Sequence, residues 1–134
     1  MLAAYPLSSL VTVISLFVYI WMALKVGAAR AKHNVHAPIV DGPPEFLRVF
    51  HVHMNTLEQI VIFFPALAMF AAAWGDLPAA IVGVFWPVGR MLYAFGYFTS
   101  ADKRGPGFGI SFLSSVVLLL GTLAAIARHL TEHL

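Results

Sequence analysis

A small set of polar side chains stands out in a chain that is otherwise almost wholly apolar: Arg30, Arg48, His51, Asn55, Glu58, Gln59, Arg90, Tyr93, Tyr97 and Arg104. Guanidinium groups grip carboxylates through paired hydrogen bonds. Glu58 can take an ammonium group, and Asn55 and the tyrosines can hydrogen-bond amides. The set therefore suits a ligand with several carboxylates and at least one amine. The plainer alternative is that Glu58 pairs with a neighbouring arginine and the tyrosines mark a membrane interface. That alternative leaves positive charge over, because the arginines outnumber the one carboxylate, and the surplus needs a partner.

Spacing gathers these residues onto helix faces. At about 100° per residue, Arg48, His51, Asn55, Glu58 and Gln59 fall in one arc. His53 points elsewhere and reads as a packing or interface residue. Arg90, Tyr93 and Tyr97 follow i, i+3, i+7, and Arg104 lies close to the same stripe if its helix continues. Lipid does not accept a polar stripe, so each must face protein or a water-filled pocket.

The elements that hold these faces follow from composition. The chain has 134 residues, which suggests one domain spanning 1–134. Hydrophobic residues make up 60% and charged residues only 10%, with mean hydropathy +0.86. A soluble domain carries about 25% charged residues, so this chain reads as an integral membrane protein. Net charge is +2, and no lysine-rich run or basic stripe argues for nucleic acid as a partner. Cysteine is absent, which excludes disulfides, thiolate metal sites and a cysteine nucleophile. His33, His36, His129 and His133 lie in loops or near the end of the chain without the spacing of a metal site, so no metal is expected.

Hydropathy predicts four spans, roughly 3–30, 45–74, 78–104 and 107–130, in an all-α antiparallel four-helix bundle. Residues 2–24 carry no charge, and no Lys or Arg precedes them, so the first segment reads as a retained helix rather than a signal peptide. Residues 31–44 form the one long loop, and Pro43, Pro44 and Glu45 read as a helix start. Pro65 and Pro87 predict bends, and residues 75–78 a tight turn. Lys25, Arg30, Lys32 and Arg48 flank loop one, and Lys103 and Arg104 lie in loop three, whereas the other side has only Arg128. The positive-inside rule then puts loops one and three in the cytoplasm and both termini on the opposite side. Both polar stripes meet at that cytoplasmic level.

The run GPPEFLRVFHVHMNTLEQ, followed by GRMLYAFGYFTSADKRGPGF, resembles the MAPEG family of membrane-associated proteins in eicosanoid and glutathione metabolism. The nearest likeness is to its leukotriene C4 synthase and type-2 microsomal glutathione transferase branch. The resemblance implies a homotrimer with glutathione bound between neighbouring subunits. By position it implies glutathione contacts at Arg30, Asn55, Glu58, Tyr93 and Tyr97, with Arg90 beside the site and His51 and Gln59 as altered contacts. Arg48 matches a more structural position. His51, His53, Gln59 and Ala31 stand where leukotriene C4 synthase has Arg, Gln, Tyr and Arg. Arg104 matches the thiol-activating arginine.

The implied activity is a glutathione transferase or peroxidase, with glutathione as co-substrate and a hydrophobic electrophile or lipid hydroperoxide arriving from the bilayer. Trp21, Phe85 and Trp86 are candidates to line that path, with packing or lipid contact the favoured reading. Three other readings stand beside it. One is a non-enzymatic lipid-binding scaffold resembling 5-lipoxygenase-activating protein, whose branch lacks the thiol-activating arginine. Another is a prostaglandin E synthase-like isomerase. The third is a small transporter or channel subunit, against which the polar residues stay in one half of the membrane.

Overall fold

The structure, a computed structural model, describes residues 2–134, and among them every regular element is helical. The helices are α1 (Pro6–His33), α2 (Pro44–Trp74), α3 (Asp76–Gly83), α4 (Phe85–Thr99) and α5 (Gly105–His133), with a 3₁₀ turn at Ala101–Arg104 before α5. Four segments are long and apolar enough to cross a membrane, and α3 with α4 makes the third of them.

Helix ends are set by residues that supply or release backbone partners. α1 runs on to His33 because Asn34 closes it in the left-handed region, its N–H donating to the Arg30 carbonyl. At the other end of α1 the first-turn amides of Leu7 and Ser8, which have no partner within the helix, donate to Asp76 Oδ2 and Oδ1, at 2.9 and 2.7 Å. The stretch expected to be a tight turn is therefore shorter: Gly75 alone makes the corner, and Asp76 starts α3 while capping α1. This contact spans about half of the chain, so no local pattern announces it.

The third span breaks between Gly83 and Phe85, one turn before the bend expected at Pro87. Pro87 has no N–H, so the carbonyl four residues back, at Gly83, loses its helical partner and the chain loosens there. Pro65 removes one bond in the same way, yet α2 continues through it. Four-residue helical bonding also ends at Thr99, so Arg104 sits in a tight turn rather than on a continuing helix.

Contacts fix how the helices run. Asp76 touches the start of α1, whereas Arg30, late in α1, lies over Phe46 at the start of α2. Arg48, Thr56 and Phe63 of α2 meet Phe98, Arg90 and Trp86 in descending order. Successive spans are thus antiparallel. The interior has large apolar anchors, Phe63, Leu67, Trp86 and Leu118, together with small hydroxyl residues such as Ser15, Thr56, Ser111 and Thr122. Leu10, Phe17, Val61, Phe95 and Leu120 lie outside. This arrangement suits lipid, where small residues bring helices close and hydroxyls bond to nearby carbonyls.

Candidate functional site

Arg90 is the centre of the polar interior. Its side chain is wholly buried. Nε donates to Thr56 Oγ1 at 3.2 Å and Nη1 to Ser111 Oγ at 3.2 Å. Nη2 donates to Asn55 Oδ1 at 2.7 Å and to Thr56 Oγ1 at 3.0 Å. The two hydroxyls can accept because their own protons go to the carbonyls of Val52 and Phe108. One guanidinium thus ties α2, α4 and α5 together. An isolated buried charge is costly, and here neutral dipoles and aromatic faces compensate it: Arg90 Cζ lies 4.1 Å from the Tyr93 ring centroid and 5.9 Å from that of Trp86.

From Arg90 a chain of contacts leads to the end of the bundle that carries Arg104. The rings of Tyr93 and Tyr97, one turn apart, meet edge to face at 5.5 Å. Arg104 lies over Tyr97 at 5.7 Å, and its Nη1 donates to the Ala101 carbonyl at 2.6 Å. Asn55, Arg90, Tyr93, Tyr97 and Arg104 therefore form one connected run from interior to exposed edge. Among the described residues, Arg30, Arg48, Arg90 and Arg104 have no carboxylate partner; the ion pairs are His33–Glu45 and Arg128–Glu132.

The stripe on α2 divides in two. Arg48 and Asn55, one heptad apart, turn inward: Arg48 Nε donates to the Phe98 carbonyl at 3.3 Å, and Asn55 accepts from Arg90. His51 and Glu58, also a heptad apart, are exposed on the outer face. Gln59 is half-buried, and its Oε1 has no hydrogen-bond partner. Arg30 is at the same end of the bundle but does not join the run. Its Nη1 donates to the carbonyls of Val35 and Ile39, at 3.3 and 2.6 Å, which folds loop one back over the end of α1. Within one chain, Arg30, His51 and Glu58 thus stand apart from the Arg90–Arg104 run.

Sequence reasoning passed over Thr56 and Ser111, the hydroxyls that hold Arg90. Their signal was faint, a hydroxyl beside Asn55 and another in an uncharged helix. His53 stacks on Tyr19 at 4.6 Å and is a packing residue between α2 and α1. Trp86 is core, stacked on Phe63 at 4.5 Å, whereas Phe85 is exposed. Trp21 packs against Phe95 and Phe98.

Beside the break at Val84 lies an apolar groove of about 410 Å³, bounded by Ile81, Phe85, Ile110, Leu113 and Val117. A larger hollow, about 590 Å³, sits at the opposite end, between Trp74 and His129, and holds none of the candidate residues. The site is better located by its unpaired guanidinium groups than by cavity size.

The sequence pattern of the MAPEG family matches residues 8–124. A Synechocystis protein described only as uncharacterized is 41% identical over 124 residues, covering 92% of this chain and 90% of that one. Human microsomal glutathione S-transferase 2 is 38% identical over 115 residues, 85% of this chain and 78% of the relative. Guinea-pig leukotriene C4 synthase is 31% identical over 121 residues, 90% of this chain and 81% of the relative.

Proposed function

The chain belongs to the MAPEG family and is a multi-pass membrane protein, and from that premise we propose that it is a glutathione transferase acting on hydrophobic electrophiles. The relatives named for glutathione transfer and leukotriene C4 synthesis support the co-substrate. One observation carries the reading: Arg104, with no carboxylate partner, lies over Tyr97 at the exposed end of the Asn55–Arg90–Tyr93–Tyr97 run. A guanidinium in that position stabilises an anion.

In this reading Arg104 lowers the pKa of the glutathione thiol by favouring its thiolate. The thiol proton passes to solvent. The sulfur lone pair forms a carbon–sulfur bond to the electrophile, whose leaving group departs with its bonding electrons. A lipid hydroperoxide reacts analogously: sulfur attacks oxygen, the O–O bond breaks, and an alcohol is released. The resulting sulfenic acid condenses with a second glutathione to give the disulfide and water. Asn55, Tyr93 and Tyr97 hold the peptide, Glu58 its ammonium, and Arg30, His51 and Gln59 complete the contacts. Arg90 fixes Asn55 and Tyr93 from within.

The assembly in this reading is a homotrimer with the site shared between copies. Its support is that His51 and Glu58 are exposed on a helix that crosses the membrane. Lipid rejects both, so a second copy is the natural cover. Loops one and three, with the site, face the cytoplasm, following the excess of Lys and Arg there.

The apolar groove near Val84 would also serve a lipid-binding scaffold. Arg104 favours the enzyme, because a scaffold has no use for an anion-stabilising group there. The deciding experiment is conjugation of an aryl halide by purified protein with and without glutathione, beside Arg104→Ala. Glutathione-dependent product from the parent protein alone supports the reading. No product, with no thermal protection by glutathione, overturns it.

A further inference from the structure

The segment that carries Arg104 is pressed against α4 at two glycines. The Lys103 carbonyl oxygen rests where a Cβ on Gly96 would stand, and the backbone of Tyr93 rests where a Cβ on Gly107 would stand. Both obstacles are backbone atoms, so no side-chain rotation could make room. Lys103 immediately precedes Arg104, and Gly96 immediately precedes Tyr97, the ring beneath the guanidinium. Arg104 itself is exposed, held by the Ala101 carbonyl and by that ring. Little else sets its height above Tyr97.

We propose that Gly96 is a positioning residue for the reaction: the missing side chain at 96 lets the Ala101–Arg104 turn settle onto α4 and fixes the Arg104 guanidinium over Tyr97. This rests on reading Arg104 as the thiol-activating group. A Cβ at 96 must push the Lys103 carbonyl away, and the displacement passes directly to Arg104. Of the three residues proposed to hold the glutathione peptide, Asn55 and Tyr93 are anchored separately through Arg90, and only Tyr97 adjoins the turn. Displacement of the turn therefore affects thiol activation more than binding. Misplacing a catalytic group by about 1 Å can cost about a hundredfold in rate.

The test compares Gly96→Ala with Gly121→Ala, using kcat, glutathione KM and the ultraviolet thiolate absorbance per bound glutathione. Gly121 is the control for packing loss remote from the site, because a Cβ there also meets a close neighbour, the Phe70 side-chain ring, far from Arg104. Gly96→Ala is expected to lower kcat about a hundredfold and diminish the thiolate band, with glutathione KM within about threefold. Gly121→Ala is expected to lower stability but keep kcat and the band in the folded fraction. Unchanged kcat in Gly96→Ala, or equal losses in both variants, overturns the proposal. If Gly96→Ala does not fold, one glycine inserted after Ala101 moves Arg104 in an exposed turn that should tolerate the addition. Full activity with that insertion would equally overturn it. A parent protein with neither conjugation nor a thiolate band instead refutes the reading of Arg104, and the proposal with it.

Discussion

The Arg90 guanidinium carbon lies 4.1 Å from the centre of the Tyr93 ring, one turn away on the same helix. The nitrogens of that guanidinium reach Asn55 and Thr56 on α2 and Ser111 on α5. A single buried cation therefore sets the orientation of two residues that line the proposed glutathione site.

Removing that cation should weaken folding as well as binding. Deleting one partner of a buried salt bridge strands the other charge and costs about 3–5 kcal/mol. Arg90 has no carboxylate partner, so Arg90→Met strands no charge, but it takes the donor from Asn55 Oδ1 and from the Thr56 and Ser111 hydroxyls, and its stability loss should be about 2–4 kcal/mol. Asn55 and Tyr93 lose their fixed orientation, and glutathione should bind about tenfold more weakly, roughly 1.4 kcal/mol. Thermal melts and glutathione titration of the same preparation check both halves.

Arg104→Ala should do the opposite. On the proposed reading it removes the group beside the thiol but none of the residues that would grip the peptide. We expect kcat to fall about a hundredfold with glutathione affinity changed by less than about threefold. Glutathione should still raise the melting temperature of the variant, since ligand that binds only the folded state stabilises it.

Asp76 should matter for stability alone. Its carboxylate accepts from the Leu7 and Ser8 amides at the end of the bundle remote from Arg104. Asp76→Ala leaves those amides uncapped and should lower the melting temperature by a few degrees, with kcat of the folded fraction unchanged. Asp76→Asn, which keeps an acceptor, should lose less. Detergent-solubilised melts with parallel kinetics give the comparison.

A shared site predicts complementation. Glu58→Ala and Arg104→Ala should each be inactive or nearly so when assembled alone. Co-expressed at equal levels, they should recover activity at about a quarter of the sites, the fraction that receives an intact residue from each neighbour. No recovery from verified mixed assemblies would mean that each chain carries a complete site.

The polar pattern of α2 was legible as a period but not as an arrangement. Arg48, Asn55, His51 and Glu58 do lie near one another around the helix, yet the first two turn inward and the last two outward. Arg90, Tyr93 and Tyr97 read as one stripe and do form a contact series. Thr56 and Ser111 were not legible, because hydroxyls are frequent in membrane helices and most of those here bond only to their own backbone. The break at Val84 was displaced from its cause, since a proline frees the carbonyl a turn before itself.

The sequence by itself determined the four apolar spans and the grouping of Arg90, Tyr93 and Tyr97 on one helix face. Those follow from hydropathy and helical period. Only the tertiary structure decided that Arg90 is sealed inside, that Glu58 and His51 face out, that Asp76 caps a helix far away in sequence, and that Gly96 seats the turn bearing Arg104. Periodicity fixes the angles between residues on one helix but not the rotation of that helix against its neighbours. In water, the contrast between an apolar core and a polar solvent would fix that rotation. In a membrane both sides are apolar, so close backbone packing and a few buried hydrogen bonds decide it.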